Sequence, residues 1–176
     1  MNRSITSRCL LVGALGLAFQ ASTAFANGSH AGGHDDASAI GSPGNAANAT
    51  RTVDVDMTDA MRFNPASVSV RQGETVRFRV KNSGQLKHEF VLGTEKELKA
   101  HYEVMKKNPE MEHADDNMVT VAPGQAGEVV WQFTKAGKVD FACLQPGHYD
   151  AGMKGAVMVP AGKAGARTGG QAGQYH

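Results

Sequence analysis

Cysteine is scarce in this chain. Only Cys9 and Cys143 carry a thiol among 176 residues, and Cys9 lies in a segment expected to be cut away. A lone thiol in an exported protein has no internal disulfide to make. Cys143 is therefore a reactive thiol, an intermolecular partner or a metal ligand. Long apolar runs are missing too. The best, Leu10 to Phe19, is too short to span a bilayer comfortably. Arg3 and Arg8 precede it and Ala24-Phe25-Ala26 follows as an A-x-A cleavage site, the pattern of a secretory signal over residues 1–26. An excess of either charge is also lacking. Losing the signal leaves sixteen basic against seventeen acidic residues, a net charge of −1 with histidines neutral. That balance argues against nucleic acid and anionic membrane surfaces as partners.

The remainder is long enough for one compact domain. Residues 27–50 are rich in Gly, Ala, Ser and Asn, carry His30, His34, Asp35 and Asp36, and have no apolar period. They are expected to be a disordered histidine-bearing tail, and residues 161–176 a second, Gly/Ala-rich one. Between them, over 51–160, the period is mostly two. Val53, Val55 and Met57 alternate with polar residues, as do Val68 and Val70, and Val76, Phe78 and Val80. Further short strands are expected over 88–92, 118–121, 128–133, 138–142 and 156–159. Gln72-Gly73, Asn82-Ser83-Gly84, Pro123-Gly124 and Ala136-Gly137 read as turns between them. Many short strands and turns predict an all-β fold, a Greek-key β-sandwich.

One segment, about 94–117, breaks the period. Thr94-Glu95-Lys96-Glu97 has the form of a capping box. Leu98, Tyr102 and Met105 share one face at helical spacing, and Asn108-Pro109 stops the run. A helix inserted between two strands is expected, then an acidic loop from Glu110 to Asn117.

The chemistry is concentrated in Phe-Ala-Cys-Leu-Gln-Pro-Gly-His-Tyr-Asp-Ala-Gly-Met, residues 141–153, with spacing Cys-x4-His-x4-Met. Pro146, Gly147, Gly152 and Gly155 let this loop turn sharply. It aims Cys143, His148 and Met153 at one point, and His88 opens a strand elsewhere. A thiolate, two imidazoles and a weak thioether suit one copper ion cycling between Cu(I) and Cu(II) in a type 1 site, with Met153 axial. Zinc is the chemical competitor but has no special use for Met153. The bland alternative, two surface histidines and a free thiol, leaves the exported cysteine unexplained.

Arg62-Phe-Asn-Pro, Arg71-Gln-Gly-Glu-Thr-Val-Arg-Phe, His88-Glu-Phe-Val-Leu and the stretch from Phe141 to Gly155 resemble the cupredoxin family across nearly the whole core. The inserted helix and Pro109-Glu-Met-Glu-His resemble, within that family, the periplasmic copper-tolerance cupredoxins of the CopI type. The resemblance implies a cupredoxin-like sandwich, copper held by His88, Cys143, His148 and Met153, and a periplasmic role in copper tolerance. The chain departs from plastocyanins and azurins at Glu89. Those proteins usually carry Asn there, whose side chain ties the two ligand loops together.

Other residues have weaker claims. His101, Met105, Met111, His113 and Met118 cluster on and after the inserted helix, and Met and His bind copper. Packing and solvation explain them first, and a solvated tail explains His30 and His34. Trp131 and Phe133 read as packing residues and Tyr149 as a surface residue. The functional expectation is a monomeric periplasmic copper protein that binds and redox-cycles copper, with a redox partner approaching near His148 and no membrane insertion once the signal is gone. The alternative is a soluble electron carrier for a respiratory or denitrifying enzyme. An enzymatic role is not expected: one domain lacks the second copper centre of a multicopper oxidase, and Met153 occupies the position a substrate would need.

Overall fold

The computed structural model describes residues 37–111 and 114–161. The expected signal, His30 and His34, His113 and the tail from residue 162 lie outside the described residues. A single helical turn, α1 (Ala37–Ile40), leads into β1 (Ser42–Pro43) and a 3-10 turn (Ala46–Asn48). Then come β2 (Arg51–Thr58), β3 (Arg62–Asn64), β4 (Ser67–Ser69), β5 (Thr75–Asn82) and β6 (His88–Gly93). The helix α2 (Glu95–Lys107) follows, and then β7 (Met118–Val121), β8 (Ala126–Gln132), β9 (Gly137–Ala142) and β10 (Lys154–Val159).

The strands form two five-stranded sheets, ordered β1-β8-β5-β2-β3 and β4-β10-β9-β6-β7. This is the expected sandwich with one inserted helix. Both sheets are mixed: β2 runs parallel to β5 and β4 parallel to β10, while the other pairings are antiparallel. Period two decides the layers. Val55 and Met57, then Val76, Phe78 and Val80, face Phe90, Leu92, Val139, Phe141 and Val157 across the interior, all buried. Five phenylalanines meet there. Phe63 stands edge-on to Phe90 and Phe141 at ring-centroid distances of 5.9 and 5.1 Å, and Phe78 edge-on to Phe133 at 6.1 Å. Edge-to-face pairs contribute about 0.5–1.5 kcal/mol each beyond their buried area.

Strand β6 is buried at all six positions, which an open sandwich face does not allow. The reason is α2. Its capping box is present: the Thr94 hydroxyl accepts the Glu97 N–H at 3.2 Å, and the Glu97 carboxylate accepts the Thr94 N–H at 2.7 Å. Leu98, Tyr102 and Met105 turn inward from the helix onto Val91, Met118, Ala142, Leu144 and Tyr149. A second, smaller core thus lies on the outer side of β6 and β9.

The packed chain begins earlier than the expected boundary near Arg51. Ile40 is buried, and its carbonyl accepts the Trp131 indole N–H at 2.9 Å. Ser42 and Pro43 pair with Gln132 and Trp131 of β8. A two-residue strand has no period to read, and Ile40 is an isolated apolar residue among small ones.

Candidate metal centre

Alternation along the strands sets the site. His88 is the first residue of β6 and shares its inward parity with Phe90 and Leu92. Cys143 follows β9 with the parity of Val139 and Phe141, and both are fully buried. The loop from Cys143 to Met153 is closed by its own backbone. The His148 N–H donates to Gln145 O at 3.0 Å, the Met153 N–H to His148 O at 3.0 Å, and the Cys143 N–H to Met153 O at 3.1 Å. Gly147 and Gly152 take φ of 86° and 88°, left-handed turns that a β-carbon would strain.

Three donor atoms converge as a result. The Nδ1 atoms of His88 and His148 lie 3.1 Å apart, and Cys143 Sγ lies 3.3 Å from His148 Nδ1 and 3.9 Å from His88 Nδ1. They are the one group of three metal-binding His, Cys, Asp or Glu side chains among the described residues. Metal–nitrogen bonds of about 2.0 Å and a metal–sulfur bond of about 2.3 Å set a trigonal trio roughly 3.5 Å apart, so the spacing fits one ion. Met153 is fully buried, shares the main core with Cys143, and is tied to it through its carbonyl.

Burial keeps Cys143 and His148 uncharged in the absence of a metal. Burial pushes the Cys143 thiol up to about 12, against the Glu89 and Gln145 backbone N–H groups, which lower it. At neutral pH the thiol therefore keeps its proton until a cation displaces it. Burial, then the neighbouring His88, hold His148 below its ordinary value, so it presents a neutral ring. His148 is half-buried, with Pro146, Gly147 and Ala151 exposed beside it.

Residues invisible to motif reading surround the donors. Asp59, in the turn between β2 and β3, sits 3.1 Å from His88 Nε2. The backbone N–H of Gln85 holds its carboxyl below the usual carboxylate range, aided by Leu86 and His88 and opposed by burial. The Glu89 N–H donates to Cys143 Sγ at 3.3 Å. The Glu89 carboxylate is buried and accepts from the Gln145 side-chain amide and, at 3.4 Å, from the Thr120 hydroxyl. Glu89 thus ties the His88 strand to the Cys143 loop, the task expected of Asn at that position. From the helix, Tyr102 OH donates to Asp150 Oδ2 at 2.9 Å and accepts the Gly147 N–H at 3.0 Å. Its ring stacks on Tyr149 at 5.0 Å and 28°. Tyr149, expected at the surface, is therefore buried: α2 covers it, and Lys154 Nζ stands 4.0 Å above its ring.

The Met and His residues of the helical insertion divide between core and surface. Met105 and Met118 are buried in the core beneath α2, whereas Met111 is exposed. Trp131 and Phe133 pack in the main core, as expected.

Residues 49–160 match the family described as copper binding proteins, plastocyanin/azurin family. The chain is 53% identical to the copper-resistant cuproprotein CopI of Rubrivivax gelatinosus, covering 90% of this chain and 98% of that protein. It is 38% identical to a protein of the same name from Pseudomonas aeruginosa, covering 69% and 82% of the two chains. Among solved structures, reduced auracyanin from Roseiflexus castenholzii superposes with a TM-score of 0.55 at 22% identity, covering 64% of this chain and 99% of that one. Auracyanin B does so at 0.54 and 24%, covering 64% and 90%. At such identities the structural likeness speaks for the fold. Family and fold agree with the donor set, and the chain belongs to the plastocyanin/azurin family of copper-binding proteins, a cupredoxin whose relatives include the CopI cuproproteins.

Proposed function

We propose that this chain is a periplasmic type 1 copper protein that holds one copper through His88, Cys143, His148 and Met153, and cycles it between Cu(I) and Cu(II) in copper tolerance. The observation that carries the reading is the approach of three soft and borderline donors, two Nδ1 and one Sγ, to within 3.9 Å of one another, with His88 and Cys143 buried and His148 half-buried. The extensive likeness to proteins named copper-resistant supports the physiological half.

When bound, copper supplies a one-electron couple. The chain does the rest. Cys143 gives up its proton to bind, and the Glu89 N–H supports the resulting thiolate. Gln145 and Glu89 hold the two ligand segments at fixed separation, so the donor set changes little between oxidation states. Tyr102 pins the outer side of the loop, while His148, half-buried, leaves a route for electrons. No described helix is long and apolar enough to cross a membrane. The reading gives the protein no substrate to turn over.

The test is growth of a deletion strain on graded copper with a parallel respiratory assay. Failure at elevated copper, normal respiration at low copper and no rescue by Cys143→Ala are expected. A respiratory defect with normal copper tolerance would favour the electron-carrier reading instead.

A further inference from the structure

We propose that Asp59 is a positioning residue for the copper site: its carboxylate grips His88 by the ring nitrogen turned away from the donor cluster and biases the bound metal towards Cu(II). This rests on the reading of His88 as a ligand.

The geometry is built for that grip. His88 directs Nδ1 at Cys143 Sγ and His148 Nδ1, leaving Nε2 as the N–H donor, 3.1 Å from Asp59 Oδ1. The carboxylate has little freedom to swing. Its Oδ2 accepts the Gln85 N–H at 2.7 Å and its Oδ1 the Leu86 N–H at 3.2 Å. Both donors belong to the loop that delivers His88, so one side chain fixes the loop and the ring together. Room for it comes from Gly84, where a β-carbon would collide with Asp59 Oδ1 and crowd its Cγ. The loop is itself braced by fully buried Asn82, whose side-chain amide donates to Leu86 O at 2.7 Å and Val121 O at 2.9 Å. His148 has no comparable partner for its second ring nitrogen among the described residues.

The consequence follows from charge. An imidazole whose remote N–H donates to a carboxylate is a more basic ligand and is fixed in tautomer and orientation. A negative charge beside the ligand shell lowers the energy of Cu(II) more than that of Cu(I). The Asp59 side chain is about one-third exposed, so salt screens part of the effect.

The decisive variant is Asp59→Asn in the full chain loaded with copper. Loss of such a partner costs on the order of 10–100-fold in metal affinity. The loss should fall mainly on Cu(II), so the potential should rise by about 59 mV for each tenfold difference between the two states. The visible thiolate band should persist. Gly84→Ala, which displaces the carboxylate without removing it, should move the potential the same way. A readout independent of the redox couple is the nitrogen-15 spectrum of the wild-type Cu(I) protein. It should show a slowly exchanging proton on His88 Nε2, and this serves even if Asp59→Asn fails to fold. An unchanged potential in both variants, or His88 protonated on Nδ1 instead, overturns the proposal. A separate arm isolates the underlying reading. If His88→Gly keeps the thiolate band, the ligand assignment fails. If that band is lost while Asp59→Asn leaves the potential in place, only the role of Asp59 fails.

Discussion

Between the two sheets lie Phe63, Phe78, Phe90, Phe133 and Phe141 with branched aliphatics, a core built mainly of aromatic rings and aliphatic side chains. Beneath α2 lie Tyr102 and Tyr149 with Leu98, Met105, Leu144 and a few others. The first core would serve any sandwich. The second carries hydroxyls, and Tyr102 uses its hydroxyl on the ligand loop. The loop is shared between them: Cys143 and Met153 turn into the main core, Leu144 and Tyr149 into the small one. The difference teaches what the inserted helix is for. It closes the outer face of β6 and β9 and clamps the loop from behind, so the donors are held from both sides.

The largest expected effect comes from the point where the cores meet. Cys143→Ser should abolish the intense thiolate-to-copper absorption and most of the copper affinity, because an alcohol does not ionise to replace the thiolate. Visible absorption and copper retention after dialysis measure this. A variant that keeps the same band would remove Cys143 from the site.

Next, the two cores should respond differently to damage. Phe133→Ala removes a fully buried ring near the end of β5 remote from His88, since Gln132 pairs with Thr75 while β5 runs on to Asn82. It should cost about 3–5 kcal/mol in the metal-free protein, read by denaturant unfolding, and leave the absorption maximum of the folded fraction in place. Tyr102→Phe should cost less, about 1–3 kcal/mol for the bonds it strands, yet shift the maximum or the potential. If both variants behave alike, the helix is merely a cover.

Met153→Leu should keep copper and raise the potential, because a weak donor that favours Cu(II) is lost while the three strong donors stay. Complete loss of binding would show that the thioether holds the metal.

These contrasts also mark what the sequence made legible. Period two located the eight main strands, and the capping box with three apolar residues at helical spacing located α2. Spacing alone singled out Cys143, His148 and Met153 as candidates, because one short segment carries all three, and folding brings the Cys143 and His148 donor atoms within 3.3 Å. Asp59 was out of reach: it is one acidic residue in a turn, 29 positions from His88, and only folding brings them together. Gln145 stood within the motif but without a partner to suggest its task. Tyr149 was misjudged because nothing local says that a helix 42 or more residues upstream will cover it. The start at Ile40 was hidden because an edge strand of two residues gains its place from the indole of Trp131.

The smallest expected effect separates a charge near the site from one that is merely nearby in sequence. Asp54 and Asp59 stand five positions apart and both carboxyls are held below their usual range, Asp54 first by its hydrogen bond to Arg79. Asp54 lies on β2 with its charge on the solvent side, paired with an equally exposed guanidinium. Such a pair contributes little in water and less in salt. Its folded-state value is depressed, so whatever stability it adds is present above pH 3.8 and is lost as pH falls through the depressed value. Asp54→Asn should therefore leave the unfolding midpoint at neutral pH almost unmoved and slightly flatten the acid limb of the stability curve. It should not touch the copper potential, because no hydrogen bond leads from Asp54 to His88, whereas the Asp59 carboxylate accepts one from His88 Nε2. Voltammetry of the two variants side by side makes the comparison. Equal shifts would mean that long-range charge, not contact with His88, sets the potential.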